Sequence, residues 1–99
     1  MIIDEQKHEN GIITWRFYCP ACGHAHLFFS DRWHFNYDYT KPTFNPSLLN
    51  FYPEEYQKHL NLPNYRCHLF VTNGEIHYQE DCSHNMKGLI ISMIELKSG

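Results

Sequence analysis

The stretch "RCHLFVTNGEIHYQEDCSH", residues 66–84, is the strongest indication of the fold, because an Asn-Gly pair separates two strand-like runs. Both residues of such a pair accept positive φ, which predicts a type I′ turn at Asn73 and Gly74. The turn fixes the register, and pairing runs back from it to Cys67 opposite Glu80. The stretch therefore predicts an antiparallel hairpin whose two faces carry different chemistry.

One predicted face of this hairpin carries Cys67 and, diagonally across the strands, Cys82. Their expected separation, roughly 5–7 Å, suits two ligands of one metal ion. The opposite face carries His68 with Asp81 as its diagonal neighbour. A carboxylate in that position hydrogen-bonds one imidazole nitrogen and leaves the other free to act as a base.

The segment "CPACG" at residues 19–23 is the most specific short motif. Its two cysteines predict a metal-binding knuckle, and zinc needs further nitrogen or sulfur ligands from elsewhere in the chain. A redox role would require a thioredoxin-like βαβ context, which the sequence lacks. The predicted zinc ligands are Cys19, Cys22, Cys67 and Cys82, with His84 as an alternative ligand and His24 and His26 as weaker candidates.

Two roles for the zinc ion are open at this point. Four thiolates would close the coordination shell and make zinc structural. If His84 or water completed the shell, metal-bound water would be a nucleophile, with Glu80 or Asp81 as a base. The structural role is favoured because four cysteines are available.

The His68 and Asp81 pair lacks only a hydroxyl nucleophile. Ser47 in "KPTFNPSLL" is the leading candidate because two prolines stiffen its segment, and Thr43 and Ser83 are second choices. A His–Asp pair on a strand is more often a surface hydrogen bond than part of a triad. The triad is therefore a hypothesis that depends on where Ser47 lies.

The remaining segments predict a small, mainly β domain of the α+β type, an antiparallel sheet stapled by zinc. A second Asn-Gly pair at residues 10–11 predicts another hairpin, leading into a strand with Trp15 on its apolar face. "KPTFNPSLLNF" predicts an ordered extended loop because of its prolines. "PEEYQKHLNL" predicts one short helix, and "GLIISMIEL" a buried strand.

Composition limits the class of protein. The 99 residues predict a single domain over 1–99, and a net charge of −3 argues against nucleic-acid binding. No apolar run approaches the roughly 20 residues that span a bilayer. A cytosolic location is expected, and there cysteines serve more often as metal ligands than as disulfides.

The segments "FYCPACGHAH", "WHFN", "KPTFNPSLL", "RCHLFVTNGEIHY" and "DCSHNMKG" together resemble a family of small cysteine-containing proteins of tailed phages and bacteria. The resemblance runs from about Trp15 to Gly88. Phage members often carry a misleading ammonia monooxygenase label. Related bacterial members lie in Bub-type operons, which encode ubiquitin-like proteins with their activating and conjugating enzymes.

This resemblance implies a BubE-like peptidase that acts on ubiquitin-like precursors or conjugates in the bacterial host cytosol. Pro46–Ser47 and His68 match the Pro-Ser and Ser-His-Phe segments of the bacterial members. The knuckle departs from their tighter Cys-Gly-Cys, and "DCSHNMKGLIISMIEL" extends the chain as in the phage branch. The alternatives are a metallopeptidase that uses zinc-bound water and a non-enzymatic zinc ribbon that binds a protein partner.

Overall fold

The computed structural model describes residues 2–51 and 65–93, which form two antiparallel sheets. The first sheet has the order β1-β2-β3, and the second has the order β4-β5-β6-β7-β8. The prediction of a mainly β, antiparallel fold is confirmed. The strands are β1 Asp4–Lys7, β2 Ile13–Cys19, β3 His24–Phe29, β4 His34–Phe35, β5 Phe44–Phe51, β6 Arg66–Thr72, β7 Glu75–Tyr78 and β8 Ile90–Ser92.

The β6–β7 hairpin has the register that the Asn-Gly pair predicts. Asn73 and Gly74 have φ of 52° and 78°, and the paired residues run from Thr72 opposite Glu75 to Leu69 opposite Tyr78. Positive φ at both turn residues matches the twist of the flanking strands. Residues of β6 therefore alternate between a buried and an outer face, as expected.

The hairpin is shorter than predicted. β7 ends at Tyr78, and a turn at Glu80 and Asp81 replaces the expected pairing of Glu80 with Cys67. One further bond survives beyond the strand, from the Gln79 N–H to the carbonyl of His68 at 2.9 Å. The turn allows the chain to come back along β6.

The segment predicted as an extended loop forms β5, a strand between β4 and β6. The prediction of a loop was wrong because Pro46 is accommodated in an irregularity, where the register with β6 shifts between Phe44 and Leu48. A bulge removes the need for a ladder hydrogen bond at a proline. The extended conformation itself was predicted correctly.

Stacked aromatic rings join the two sheets. Phe44 of β5 stacks on Phe28 of β3 with ring centroids 4.1 Å apart, and on Phe35 of β4 at 4.6 Å. Trp15 of β2 packs against Phe35 and Phe44, and all four rings are buried. Each buried aromatic ring brings a large apolar area into this contact between the sheets.

Two further predictions concern the second half of the chain. The predicted helix in "PEEYQKHLNL" lies outside the described residues. The predicted C-terminal strand exists as β8, but it is short, and Ile90 is exposed rather than buried. No helix in the described part of the chain is long and apolar enough to cross a membrane.

Candidate active site and metal centre

The outer face of the second sheet brings Ser47, His68 and Asp81 into hydrogen-bonding contact. Nδ1 of His68 lies 3.0 Å from Oδ1 of Asp81, and Nε2 of His68 lies 3.0 Å from Oγ of Ser47. The imidazole therefore stands between the carboxylate and the hydroxyl. With Nδ1 protonated and facing Asp81, Nε2 is free to accept the proton of Ser47.

Strand β5 supplies Ser47, strand β6 supplies His68, and the turn after β7 supplies Asp81. His68 lies on β6, directly opposite Leu49 of β5, so Ser47 shares the outer face two residues earlier. The β-bulge between Phe44 and Leu48 is a feature that redirects side chains next to functional sites. On the side away from β6, the indole N–H of Trp33 donates to the carbonyl of Ser47 at 3.3 Å.

Asp81 contacts both the imidazole of His68 and the guanidinium of Arg66. Its pKa is lowered, chiefly by the hydrogen bond from His68, with help from the positive charge of Arg66. Nη1 of Arg66 lies 3.6 Å from Oδ2 of Asp81, and both side chains are about half exposed. An exposed ion pair of this kind contributes little free energy, but it keeps the carboxylate ionised and turned toward the imidazole.

Cys82 holds the backbone of His68 from the other side. The N–H of His68 donates to Sγ of Cys82 at 3.2 Å, and the thiol donates to the carbonyl of His68 at 3.1 Å. Neighbouring Ser83 holds the backbone of Arg66 in the same way: the backbone N–H of Arg66 donates to Oγ of Ser83 at 2.8 Å. These contacts replace the strand pairing that the turn at residues 80–81 interrupts.

The inner side of the molecule carries a group of three thiols and one imidazole. Their candidate ligand atoms all lie within 4.8 Å of one another. The members are Cys19 and Cys22 of the knuckle, His26 of β3 and Cys67 of β6. Cys67 belongs to the second sheet, whereas Cys19 and His26 lie in strands β2 and β3 of the first and Cys22 lies in the turn between them, so a bound ion would join the two sheets.

The knuckle is built by short backbone bonds. The N–H groups of Cys22 and Gly23 both donate to the carbonyl of Cys19, at 3.2 and 2.9 Å, and Gly23 has φ of 74°. That conformation favours glycine. The turn brings the two thiols together at the end of β2, as the motif predicts.

The thiols share hydrogen bonds with one another and with two tyrosines. Hydrogen bonds from Cys22 and then from Cys67 lower the pKa of Cys19, while the role of donor to Cys19 raises the pKa of Cys67. The hydroxyl of Tyr78 lies 3.1 Å from Sγ of Cys19, and Tyr65 donates to Cys22. The surroundings therefore stabilise a thiolate, the form that binds metals.

This donor set fits a metal ion. Three sulfurs and one imidazole nitrogen match a closed tetrahedral zinc site. Nε2 of His26 is buried and makes no hydrogen bond to any described residue, which is unusual for a buried polar atom. A metal ion bound at Nε2 of His26 would supply the missing partner.

Cys82 and His84 lie in a neighbouring group that shares Cys67. Candidate ligand atoms of these three residues also fall within 4.8 Å of one another, and Nε2 of His84 lies 3.3 Å from Sγ of Cys67. Burial lowers the pKa of His84 and keeps its imidazole neutral. Of the predicted ligands, the structure thus groups Cys19, Cys22 and Cys67 with His26, and places Cys82 and His84 in a second group that shares Cys67.

His26, a weaker candidate ligand from the sequence, lies in the group of possible ligands with Cys19, Cys22 and Cys67. A usable signal was the hairpin that follows the knuckle, in which Cys19 pairs with His24 and Phe17 with His26. Paired residues share a face, so His26 lies on the face of Phe17 and Cys19. The backbone contact between Cys82 and His68 had no comparable signal, because it depends on the turn at residues 80–81.

Fold and side-chain geometry together define a class: a small antiparallel β domain with a Ser–His–Asp trio on one face and a thiol–imidazole group on the other. Residues 1–79 match the model of a family described as the bacterial ubiquitination-like system serine protease, BubE. The chain belongs to this family, whose description indicates a protease with a protein substrate. No curated protein and no solved structure matches the chain.

Proposed function

We propose that the protein is a serine peptidase that cleaves the peptide or isopeptide bond after the C-terminal tail of a ubiquitin-like protein. The observation that carries this proposal is the position of His68, within 3.0 Å of both the Asp81 carboxylate and the Ser47 hydroxyl. A nucleophile, a base and a group that orients the base define the Ser–His–Asp mechanism. The family description supports the same reaction.

In the proposed first step, His68 accepts the Ser47 proton at Nε2 while Oγ attacks the scissile carbonyl carbon. The tetrahedral adduct collapses, the carbon–nitrogen bond breaks, and the proton on Nε2 passes to the departing amine. Water then attacks the acyl carbon of the ester on Ser47 with His68 again as base; the bond from that carbon to Oγ breaks, the carboxylic acid product leaves, and Oγ takes the proton back from Nε2. Asp81 stays ionised and stabilises the imidazolium throughout.

The second part of the proposal assigns zinc to the group of Cys19, Cys22, His26 and Cys67. Bound there, zinc would act as a structural cross-link, since four protein donors leave no position for water. This favours a structural ion over the metallopeptidase alternative. The chain's own contribution is to favour the thiolate of Cys19 through its hydrogen bonds and to bring Cys67 of β6 to the thiols of the knuckle.

The proposed substrates are ubiquitin-like precursors or conjugates in the cytosol of a bacterial host, including a host infected by a phage that encodes the protein. Support comes from the system in which the family is described to work. A tail that leaves a folded domain can reach the partly buried Ser47 on the outer sheet face. A folded polypeptide segment cannot.

The test uses a ubiquitin-like protein from a Bub-type operon carrying a C-terminal extension. The wild-type protein should cleave it, Ser47→Ala should not, and the matched control Ser83→Ala should, because among the described residues the Ser83 hydroxyl bonds the backbone of Arg66 and no catalytic side chain. Cleavage by Ser47→Ala would refute the triad. Tight binding without cleavage by the wild-type protein would favour the non-enzymatic module instead.

A further inference from the structure

The edge of β5 beyond Ser47 is open among the described residues. β4 pairs only with Phe44 and Asn45, so no described strand lies beside residues 48–51 on the side away from β6. Leu49 and Phe51 have relative exposures of 47% and 61%. An open edge beside a candidate nucleophile is a place where an extended chain can add as a strand.

The register shows which backbone groups of β5 point outward. Leu49 lies opposite His68, and both backbone groups of His68 are engaged on the β7 side, by Gln79 and Cys82. In an antiparallel ladder, facing residues either exchange both hydrogen bonds or exchange none. Leu49 and His68 exchange none, so the N–H and C=O of Leu49 point to the outer edge.

Phe51, two residues further along β5, is oriented in the same way by the hydrogen bonds of its partner Arg66. Phe51 lies opposite Arg66, whose N–H donates to Oγ of Ser83 at 2.8 Å and whose carbonyl accepts from the N–H of Ser83 at 2.9 Å. The N–H and C=O of Phe51 therefore also point outward. Trp33 marks the start of this edge, because its indole already bonds the carbonyl of Ser47.

We infer that the substrate tail binds as an added antiparallel strand on this edge, with its backbone paired to Leu49 and Phe51. The inference rests on the proposed function. Precursors and conjugates share only the residues before the scissile bond, so these are the residues that the protein must recognise. Only an antiparallel strand lays them along the open edge. An antiparallel strand places those residues along β5 from Ser47 toward Phe51.

The pairing assigns individual substrate residues. With the residue before the scissile bond opposite Ser47, the third residue before that bond lies opposite Leu49 and the fifth lies opposite Phe51. The spacing of about 6.8 Å between alternate residues is the same in both strands. The second and fourth residues direct their N–H groups away from β5.

The first experiment finds a peptide that the protein cleaves. A library of six-residue peptides with a C-terminal aminomethylcoumarin amide is screened with the wild-type protein and with Ser47→Ala. A fluorophosphonate probe and mass spectrometry of the labelled chain report on Ser47 independently. Cleavage that persists in Ser47→Ala, or neither cleavage nor labelling of Ser47, overturns the proposed function and this inference with it.

The second experiment replaces single backbone amides of the cleaved peptide by esters, which removes one N–H without changing the side chains. The ester that removes the third residue's N–H should lower kcat/KM about tenfold, the effect of one lost hydrogen bond. The matched ester at the fourth residue should lower it less than twofold. Equal losses at both positions, or none, overturn the inference while Ser47-dependent cleavage upholds the proposed function.

A variant of the protein tests the same bond from the other side. Leu49→Pro removes the outward N–H without removing a ladder bond to β6, and prolines are tolerated where the N–H of a strand faces outward. Its kcat/KM on the peptide should be at least tenfold below that of Leu49→Ala, which loses the side chain but keeps the N–H. Equal values contradict the pairing, and the ester series decides the question if Leu49→Pro does not fold.

Side-chain preference gives the contrasting outcome. Leu49 lies opposite His68 on β5, and Phe70 lies two residues beyond His68 on β6, both with exposed side chains. A tail could instead cross the sheet over these two side chains. Such binding would respond to Phe70→Ala and to the peptide's side chains but not to backbone esters. That pattern overturns pairing at the edge.

Discussion

Cys67 and His68 are neighbours on β6, yet they belong to opposite sides of the molecule. Cys67 is fully buried among thiols, whereas the side chain of His68 is 26% exposed and faces Ser47. A strand turns successive side chains to opposite faces, so one strand serves both groups. We therefore expect the inner group to determine whether the domain folds, and the outer group to determine what the folded domain does.

Removing the inner group should have the largest effect. Structural zinc contributes about 10–16 kcal/mol of apparent binding free energy in small domains, more than the stability of many of them. Chelation or Cys19→Ser should therefore unfold the protein and abolish activity together. Metal content by mass spectrometry and thermal melting check this, with His34→Ala as the matched exposed histidine. A metal-free protein that melts like the wild type contradicts it.

The same measurement separates the two ligand assignments. His26→Ala should reduce zinc affinity by more than about 100-fold, the upper range for changes next to a metal ligand. Cys82→Ser should keep its zinc and weaken only the hold on the His68 backbone. The reverse result would assign the fourth ligand position to Cys82.

Removing the proposed base, His68, should affect activity without affecting the fold. His68→Ala should lower kcat by about 10³- to 10⁶-fold, because serine and histidine of a triad act as a unit. The melting temperature should stay close to that of the wild type, with zinc still bound. His77→Ala on the same face is the control, and equal activity of the two variants would exclude His68 as the base.

Removing Asp81, the carboxylate proposed to orient His68, should lower activity less. Asp81→Asn should lower kcat by about 100-fold or more, below the roughly 10⁴-fold loss at a buried triad carboxylate, because Asp81 is 46% exposed. Steady-state kinetics on the cleaved substrate measure it. Glu80→Gln, the adjacent exposed carboxylate, should be close to wild type. An equally large loss of kcat in Glu80→Gln would show that negative charge near the site matters, rather than the contact between Asp81 and His68.

Acid should produce the smallest effect. The folded-state pKa of Asp81 is lowered from its ordinary 3.8 by the hydrogen bond from His68, so the contact stabilises the fold fully above about pH 4. That contribution is lost as the pH falls through the lowered pKa. The melting temperatures of the wild type and Asp81→Asn should therefore converge in acid. A difference that grows as the pH falls would contradict the assignment.

Local signals explain what the sequence could predict. The Asn73–Gly74 turn and the Cys19–Gly23 knuckle are determined by a few adjacent residues, and both form as expected. The register of one hairpin then places Cys67 and His68 on opposite faces. The catalytic roles of Ser47, His68 and Asp81 stay predictions, although the three side chains do meet.

Features that depend on distant contacts were not predictable in the same way. Strand β5 contains Pro46, which reads locally as a loop, and only its position between β4 and β6 makes it a strand. The approach of the knuckle to Cys67 requires the two sheets to pack, which no local pattern encodes. The selection of His26 follows from that packing.

The division of the thiol–imidazole group between two sheets has a consequence for synthesis on the ribosome. The knuckle and His26 emerge from the exit tunnel well before Cys67, and Cys67 is followed at once by His68. On the proposed assignment, an incomplete chain can bind zinc only loosely through the knuckle and holds no ordered base. The peptidase would become active only after the last ligand has arrived, which protects a ribosome-bound chain and its neighbours from premature cleavage.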